Sequence, residues 1–500
     1  MPLAVLSEEE ALRYVREPRS RWPLTAEAQA ARLTPVARPS FQPSFAIDKA
    51  EPIFTIGSCF ARNIEKQLLV EGYNVALRRF APPDEPGFRA DPEVLLHRFT
   101  VQSIVNDLTW ALDPDRPFPE EGFLKLPAGW IDLQLSPLLP PSPREVVEAR
   151  RAAVTGYLAL AAEAKVFVMT LGLAESWFDT LTGLHLNARP PTKARGQAGR
   201  FQFHLLDYGE ILEGLENVRA LLLRFGQPDV KILVTVSPVA MRTTFAGGDV
   251  MSANTYMKSV LRAATEAFVR GHDNVDYFPS YESVMLSDRR FAWREDQAHV
   301  SDEIVRLNVV RMLEAYAGQD ADGSKAAAAG RGFAEVQAAR EALAAGATAR
   351  AWAAYRAAVQ AAPDEGLILL EYGRFLQARR RLGEAARMVE RSLANGSAAY
   401  GGWLTMGQIH RASGRWPQAY EAAARAREFQ PKHPGVLNLS TDAARRLGRL
   451  DEALSFAELH LALGPTSAAS RRRVEALKGR RPGWADFLAG LLRRPGGADG

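Results

Sequence analysis

The most constraining feature of this sequence is a 34-residue spacing that recurs through its second half. Four alanines are separated by this interval: Ala351, Ala385, Ala419 and Ala453. Other residues keep the same period, namely Pro363, Ser397, Pro431 and Pro465, Gly373 and Gly407, and Gly346, Gly414 and Gly448. Such a period predicts a two-helix unit in which small residues let the helices approach closely and proline ends the second helix. We therefore expect residues 333–480 to form a stacked, all-α helical repeat solenoid.

One copy of the unit, residues 400–433, shows the pattern most fully. It carries Trp403, Gly407, Ala419, Ala426 and Pro431 at the expected places. This copy resembles the tetratricopeptide repeat. The resemblance implies a concave face that binds a peptide or another protein. The sequence leaves open a purely structural role, such as dimerisation or extension of the core.

Composition limits the class of protein. A chain of 500 residues predicts two or three domains. The 62 Lys and Arg residues nearly balance the 58 Asp and Glu residues, which argues against nucleic-acid binding. No apolar window is long enough to span a bilayer, and the N-terminus shows no signal-peptide pattern. The single cysteine, Cys59, excludes an internal disulfide, so we expect a cytoplasmic protein.

The first half of the chain has a different pattern from the repeats. Between residues 46 and 317, short apolar runs alternate with amphipathic helical segments, which predicts an α/β three-layer sandwich around a parallel sheet. We expect residues 1–45 to form an irregular N-terminal arm and residues 318–332, which are rich in Gly, Asp and Ala, to form a linker. Residues 481–500 are interpreted as a solvated basic tail.

A serine stands where the first predicted strand meets the first predicted helix of this domain. The strand covers residues 52–56, Gly57 permits a tight turn, and Ser58 opens the helix. The carboxyl end of a parallel strand faces the crevice where open α/β sheets bind ligands, and a helix N-terminus favours developing negative charge. Ser58 is therefore a candidate nucleophile. Serine is also a common helix cap without any chemical role, so Ser58 alone does not distinguish the two interpretations.

A second element near the end of the domain favours chemistry. Asp296 lies three residues before His299, directly ahead of the last predicted helix of the domain. At this spacing on a turn, the carboxylate can hold one ring nitrogen of the histidine and leave the other free to accept a proton. A polar turn with a surface histidine is the alternative. Together with Ser58, these residues supply a nucleophile, a base and an orienting group.

These motifs resemble a known family. The run from Gly57 to Ala61 matches the motif after which the GSCFA family is named, and Asp296-x-x-His299 is similar to the last block of SGNH-type hydrolases. The resemblance extends over residues 46–317 and implies a flavodoxin-like fold of the SGNH hydrolase type. It also implies an esterase, deacetylase or acyltransferase activity without a cofactor or metal. Ser58 would be the nucleophile, His299 the general base and Asp296 the orienting residue, with the Ser58 N–H as an oxyanion donor.

The sequence departs from the SGNH pattern at one block. Ala174 stands where that superfamily has an asparagine that donates to the oxyanion. Candidate oxyanion or substrate-binding residues are Gly172, Asn254 and Glu175, with Thr170 and Asn63 as further possibilities. The favoured function is a serine acyl-ester hydrolase or acyltransferase acting on an acylated polysaccharide or small ester, with repeats that bind a protein partner. The alternative is a catalytically degenerate domain that serves as a carbohydrate- or acyl-binding scaffold.

Overall fold

The computed structural model describes residues 2–83, 92–136, 139–191, 199–317, 325–396, 399–463 and 468–478. The chain divides into two compact units, Met1–Gln337 and Ala338–Gly500, which we call the α/β unit and the repeat unit. The division falls inside the helix that covers Lys325–Ala344. Parallel strands with helices come first and consecutive helices follow, as the sequence predicts.

The described part of the α/β unit contains helices and strands in the following chain order: α1 (Glu8–Val15), α2 (Ala26–Arg32), β1 (Ile53–Gly57), α3 (Cys59–Val70), α4 (Val101–Leu112), β2 (Phe123–Leu126), β3 (Gly129–Asp132), α5 (Arg144–Ala159), β4 (Val166–Leu171), β5 (Glu175–Asp179), β6 (Leu184–Leu186), β7 (Phe201–Leu205), α6 (Tyr208–Phe225), β8 (Lys231–Val236), α7 (Val250–Arg270), β9 (Val275–Tyr277), α8 (Ser280–Leu286), α9 (Arg289–Ala292) and α10 (Asp302–Tyr316).

The central sheet is parallel, and within the described residues its strand order is β1-β4-β8-β9. Its strands are short apolar runs that are buried on both faces, which is why they read as continuous rather than alternating patterns. Gly57 pairs with Thr170, and Leu171 pairs with Val236, so the carboxyl ends of β1, β4 and β8 form one edge.

Helices cover both faces of this sheet. Phe54, Phe167 and Ile232 point to one face and join a single apolar core with residues of α4, α5, α6 and α7. On the opposite face, the Thr55 carbonyl accepts from Arg62 of α3 at 2.9 Å, and Thr235 hydrogen-bonds to Ser280 of α8. The unit therefore has three layers, with α3 and α8 opposite the larger helical layer.

Two smaller antiparallel sheets were not predicted. They are β2-β3 and β6-β5-β7. Apolar side chains from both sheets pack into a separate small core that includes Leu124, Leu126, Leu133 and Leu186. Their strands are three to five residues long, which is too short for a clear alternating pattern in the sequence.

The remaining described helices are α11 (Lys325–Ala344), α12 (Thr348–Ala361), α13 (Gly366–Ala378), α14 (Leu382–Ala394), α15 (Ala399–Ala412), α16 (Trp416–Phe429), α17 (Pro434–Arg446), α18 (Leu450–Leu463) and α19 (Ala468–Lys478). Successive helices of the repeat unit pack against each other in pairs. A Cβ on Gly407 would lie 2.4 Å from Leu439 Cδ2 and 3.4 Å from Ala422 Cβ, so this glycine permits close helix packing. The repeating small residues thus lie where the helices meet.

The turns inside these helix pairs share one backbone conformation. Gly346, Gly414 and Gly448 have φ values of 72°, 71° and 77°. Arg380 lies at the same place in its own pair, one repeat period after Gly346, and has φ 61°. A side chain at positive φ is disfavoured, so Arg380 adopts the turn geometry without the residue that favours it.

Three predicted boundaries differ from the structure or lie outside it. The N-terminal arm, residues 1–45, is not wholly irregular, because it contains α1 and α2, each capped by a serine or threonine side chain. Of the predicted linker, residues 318–324 lie outside the described residues, and residues 325–332 form the first turns of α11 because its alanine run favours a helix. The tail, residues 481–500, also lies outside the described residues.

In the described part of the chain, no helix is long and apolar enough to cross a membrane.

Candidate active site

Ser58 lies at the junction of β1 and α3. It is the N-cap of α3, and its side chain accepts a hydrogen bond from the Phe60 N–H at 3.4 Å. The preceding residue, Gly57, has φ 143°, and a Cβ there would lie 2.1 Å from Thr170 Oγ1 and 2.5 Å from the Thr170 carbonyl oxygen. Only glycine fits this close approach of β1 to β4. The turn therefore holds Ser58 at the carboxyl edge of the sheet.

A cavity of about 350 Å³ opens beside Ser58. It is lined by Ser58, by Glu175 and Trp177 of β5, and by residues that follow β4, β6 and β8, including Gly172. Trp177 contacts Phe245 edge to face, with ring centroids 5.4 Å apart, and both rings line the cavity. The position of Trp177 just past a predicted strand end makes it a possible lining residue from the sequence, whereas no sequence signal identifies Phe245. The cavity thus combines a candidate nucleophile with a largely apolar wall.

Gly172 forms the wall nearest to Ser58. A Cβ on Gly172 would lie 3.7 Å from the Ser58 Cβ and 3.0 Å from the Phe99 carbonyl oxygen. The Gly172 carbonyl accepts a hydrogen bond from Lys258 Nζ at 2.9 Å, and Lys258 is only 1% exposed. A buried lysine on α7 therefore holds the chain where it leaves β4.

Glu175 and Asn254 both hold the segment of residues 237–249, which we call the rim loop. Glu175 accepts hydrogen bonds from the Thr244 hydroxyl and, at 3.0 Å, from the Phe245 N–H. Asn254 Oδ1 accepts from the Met241 N–H at 3.1 Å. Glu175 also lines the cavity, whereas Asn254 is not among the described lining residues. Both residues therefore fix the shape of the cavity rim.

The structure locates the position where the asparagine donor of the SGNH pattern is missing. Ala174 is fully buried, and its carbonyl accepts from the Leu206 N–H at 2.9 Å. Thr170, another candidate donor, is 1% exposed, and its hydroxyl has no hydrogen-bond partner among the described residues. Asn63 lies on α3 and is partly exposed. Neither Asn63 nor Asn254 is among the described residues that line the cavity.

Asn187 lines the cavity and was missed by sequence reasoning. Its Oδ1 accepts from the Phe99 N–H at 3.0 Å, and its Nδ2 donates to the His97 carbonyl at 2.8 Å. The backbone between these two residues also contacts β1, since the Arg98 N–H donates to the Gly57 carbonyl at 2.8 Å. Asn187 thus positions the chain beside Ser58. Its partners are distant in sequence, so no local pattern reveals this role.

Asp296 and His299 form the pair that the spacing predicts. Asp296 Oδ1 accepts from the N–H groups of Ala298 and His299 at 3.0 Å each, and Oδ2 lies 2.5 Å from His299 Nδ1. Gln297 between them has φ 54°, which closes the turn. Hydrogen bonds from the His299 backbone and ring, and from Ala298, hold the pKa of Asp296 well below its usual range. Because an ionised carboxylate can only accept, this contact calls for a proton on Nδ1, and Nε2 is then the acceptor of a neutral imidazole.

His299 directly precedes α10, which packs against α3, the helix that Ser58 caps. The other end of α10 lies at the amino edge of the sheet, where the Tyr316 carbonyl accepts from the Ile47 N–H at 3.2 Å. His299 is therefore at the end of α10 remote from that edge. Within the described residues, no hydrogen bond joins Ser58 to His299, and His299 is not a lining residue of the cavity. The structure brings Asp296 and His299 together but does not bond them to Ser58.

The described residues contain no group of three or more His, Cys, Asp or Glu side chains arranged to hold a metal ion. The neighbouring Cys59 is a rival nucleophile by residue type, since a helix N-terminus lowers the pKa of a thiol in general, but its side chain lies outside the described part of the structure.

Several solved structures are similar to this chain. YrrB, described as a tetratricopeptide repeat protein with an unusual peptide-binding site, is 18% identical over 32% of this chain and 82% of its own, with a TM-score of 0.28. PilF of Pseudomonas aeruginosa is 15% identical over 39% of this chain and 90% of its own, with a TM-score of 0.27. Yeast Tom70 is 12% identical over 57% of this chain and 58% of its own, with a TM-score of 0.31. No curated protein matches the chain.

The repeat unit and the α/β unit are thus identified by separate features. The helix pairs recur with the period seen in the sequence and resemble repeats of the tetratricopeptide type. The model of the GSCFA family matches residues 52–311, a range that includes Ser58, the central sheet and the Asp296–His299 turn. Because this match covers slightly more than half of the 500 residues, the chain belongs to the GSCFA family.

Proposed function

We propose that the α/β unit is a serine acyl-ester hydrolase or acyltransferase of the SGNH type, with a flavodoxin-like arrangement of its sheet. The observation that carries this proposal is the Asp296–His299 pair, whose 2.5 Å contact leaves His299 Nε2 free as a base. Ser58 supports it because this serine lines a cavity at the carboxyl edge of the sheet. The proposed substrate is an acylated polysaccharide or a small ester.

In the proposed reaction, Ser58 Oγ attacks the ester carbonyl carbon and its proton passes to His299 Nε2. Asp296 stabilises the resulting imidazolium and keeps its orientation. The tetrahedral intermediate then releases the alcohol, which takes the proton from His299, and leaves the acyl group on Ser58. Water completes a hydrolysis, whereas a second alcohol completes a transfer. For these reaction steps to occur, Ser58 and His299 must come within hydrogen-bond distance when substrate binds, as catalytic groups often do.

Oxyanion stabilisation in this proposal comes first from the Ser58 N–H, and the backbone at Gly172, directly after β4, lies close to Ser58. Ala174 supplies no side-chain donor. Loss of one donor typically costs about 3 kcal/mol of transition-state stabilisation, so we expect slow turnover of unactivated esters. Activated esters and fluorophosphonates are therefore the appropriate probes.

The test is labelling of the full chain with a fluorophosphonate, followed by peptide mapping. We expect the label on Ser58, and we expect both Ser58→Ala and Ser58→Asn to abolish it. Asparagine caps helices as well as serine does, so Ser58→Asn removes the nucleophile while keeping the α3 cap. Ser7→Ala, which alters the cap of α1, is the matched control and should label normally. Equal labelling of wild type and Ser58→Asn would refute the proposed nucleophile.

A second candidate function is a degenerate domain that binds an acyl group or carbohydrate as a scaffold. The observations that favour it are the missing donor at Ala174 and, in the described structure, the lack of a hydrogen bond between Ser58 and His299. This function predicts ligand binding without labelling. An unlabelled but folded wild-type chain would favour it over the enzyme.

For the repeat unit we propose binding of a protein partner. Charged side chains link one helix pair to the next: Arg340 contacts Glu371 at 3.0 Å, and Arg411 contacts Asp442 at 3.0 Å. These side chains are partly exposed and offer polar groups to a partner. Arg411→Glu should weaken capture of that partner by the full chain, and an unchanged affinity would exclude this face. The single cysteine of the chain supports the cytoplasm as the proposed location.

A further inference from the structure

The charges that line the cavity beside Ser58 are not balanced. Among the described lining residues, the charged side chains are Arg189, Arg242 and Glu175. Both arginines are exposed, whereas Glu175 is only 8% exposed. The two guanidinium groups therefore stand at the open side of the cavity, and the one carboxylate lies in its wall.

The carboxylate is already used by the protein. Glu175 accepts from the Thr244 hydroxyl and the Phe245 N–H, which hold the rim loop. Arg189 lies over the Phe245 ring, with 5.8 Å between its guanidinium carbon and the ring centroid. Within the described residues, neither Arg189 nor Arg242 forms an ion pair with an acidic side chain. Positive charge at the cavity opening is thus available to a ligand.

The inner wall of the same cavity is apolar. Phe99, Leu173, Trp177, Leu186 and Val239 line it. A volume of about 350 Å³ is within the range of small-molecule sites. An aliphatic chain fits such a wall because its burial is favourable, whereas a buried sugar hydroxyl would need hydrogen-bond partners.

We infer that this cavity binds an anionic amphiphile: an aliphatic acyl chain along the apolar wall, with a carboxylate or phosphate at Arg189 and Arg242. The inference rests on the proposed function in that the anion would be part of the acyl donor or product. It narrows the substrate class from any ester to an acyl ester that carries negative charge. Arginine is suited to this role because its guanidinium group binds carboxylates and phosphates through two parallel hydrogen bonds.

The test is calorimetric titration of the full chain with octanoate and with octanamide, which has the same chain and no charge. We expect octanoate to bind at least about tenfold more tightly, and we expect added salt to weaken only octanoate. The double variant Arg189→Gln, Arg242→Gln should lose this preference but still bind octanamide, which shows that the apolar wall is intact. The control Arg78→Gln, Arg116→Gln removes two exposed charges that do not line this cavity and should behave as wild type.

Equal affinity for octanoate and octanamide would overturn the inference, as would an unchanged preference in the Arg189→Gln, Arg242→Gln variant. Failure of the proposed function is a separate result. If the chain prefers octanoate but is not labelled at Ser58, the anion site is supported and the enzymatic function is refuted. If the chain is labelled at Ser58 but does not prefer octanoate, the enzymatic function is supported and the anion site is refuted.

Discussion

The two units use glycine in different ways. In the α/β unit, Gly57 is required at one place by contacts with Thr170 of the next strand. In the repeat unit, one turn conformation recurs from repeat to repeat, and it forms with glycine at Gly346 and with arginine at Arg380. The comparison teaches that the fold around Ser58 depends on individual residues, such as Gly57, rather than on a repeated position. The repeats instead provide several equivalent positions at which one change can be compared with another.

The strongest test of this difference is Gly57→Ala. The new Cβ would overlap the Thr170 backbone at an unfavourable φ, so we expect a loss of about 4 kcal/mol in the free energy of unfolding. The new Cβ of Gly407→Ala in the repeat unit would overlap the flexible end of the Leu439 side chain and otherwise make ordinary contacts, so this change should cost about 1–2 kcal/mol. Urea unfolding with hydrogen exchange of peptides from each unit measures both. Equal losses would remove the contrast between the units.

Buried and exposed charge pairs provide a second comparison of the two units, with a smaller expected change in stability. Asp107 is buried and contacts both Arg98 and Arg151, so Asp107→Asn leaves two buried cations without this partner. We expect a loss of about 3 kcal/mol in the stability of the α/β unit. Asp442 likewise contacts two arginines, Arg411 and Arg473, but these pairs are partly exposed. Asp442→Asn should therefore cost less than about 1 kcal/mol in the same experiment, and a larger loss would contradict this reasoning.

Acid should affect the α/β unit through His185. Burial, and then the neighbouring His204, lower the pKa of His185 to about 4 from 6.5. Between these two values the unfolded chain binds more protons than the folded chain, so stability falls as the pH drops from 6.5 toward 4. His185→Gln should reduce this loss in unfolding midpoints measured at pH 7.5 and pH 5. An identical pH dependence in the variant would exclude His185 as a contributor.

The smallest expected effect is a gain of stability in the repeat unit. Arg380→Gly places glycine in a turn whose φ is 61°, which should raise stability by about 0.5–1 kcal/mol. Gly414→Ala, at the equivalent turn, should lower stability by about 1 kcal/mol. Unfolding of both variants by urea provides the comparison. A destabilised Arg380→Gly variant would show that the arginine side chain contributes more than its backbone strain costs.

The central strands were predictable because each is a continuous apolar run. The apolar run of residues 231–236 predicts a strand with the same bounds as β8, and the strand predicted over residues 52–56 is displaced by one residue from β1. The pattern of residues 91–111 predicts one helix, and this prediction is wrong at residues 97–100, where the chain leaves helical structure. There, Arg98 donates to Gly57, a tertiary contact that no local propensity reports.

The candidate site divides in the same way. The Asp296–His299 contact follows from a spacing of three residues on a turn, and the Ser58 cap follows from a strand that ends at Gly57. No local sequence pattern shows that Ser58 and the Asp296–His299 turn act together. Asn187, Arg189 and the rim loop reach the cavity from distant parts of the chain, so only the fold brings them to Ser58.

The rim loop has a consequence for how this protein can change. Its attachments come from Glu175 on β5 and Asn254 on α7, and two of the three hydrogen bonds use backbone N–H groups of the loop. Most side chains of residues 242–248 are thus not needed to hold the loop in place. Substitutions of these side chains can therefore alter the surface of the cavity rim without removing the contacts that hold the loop beside Ser58.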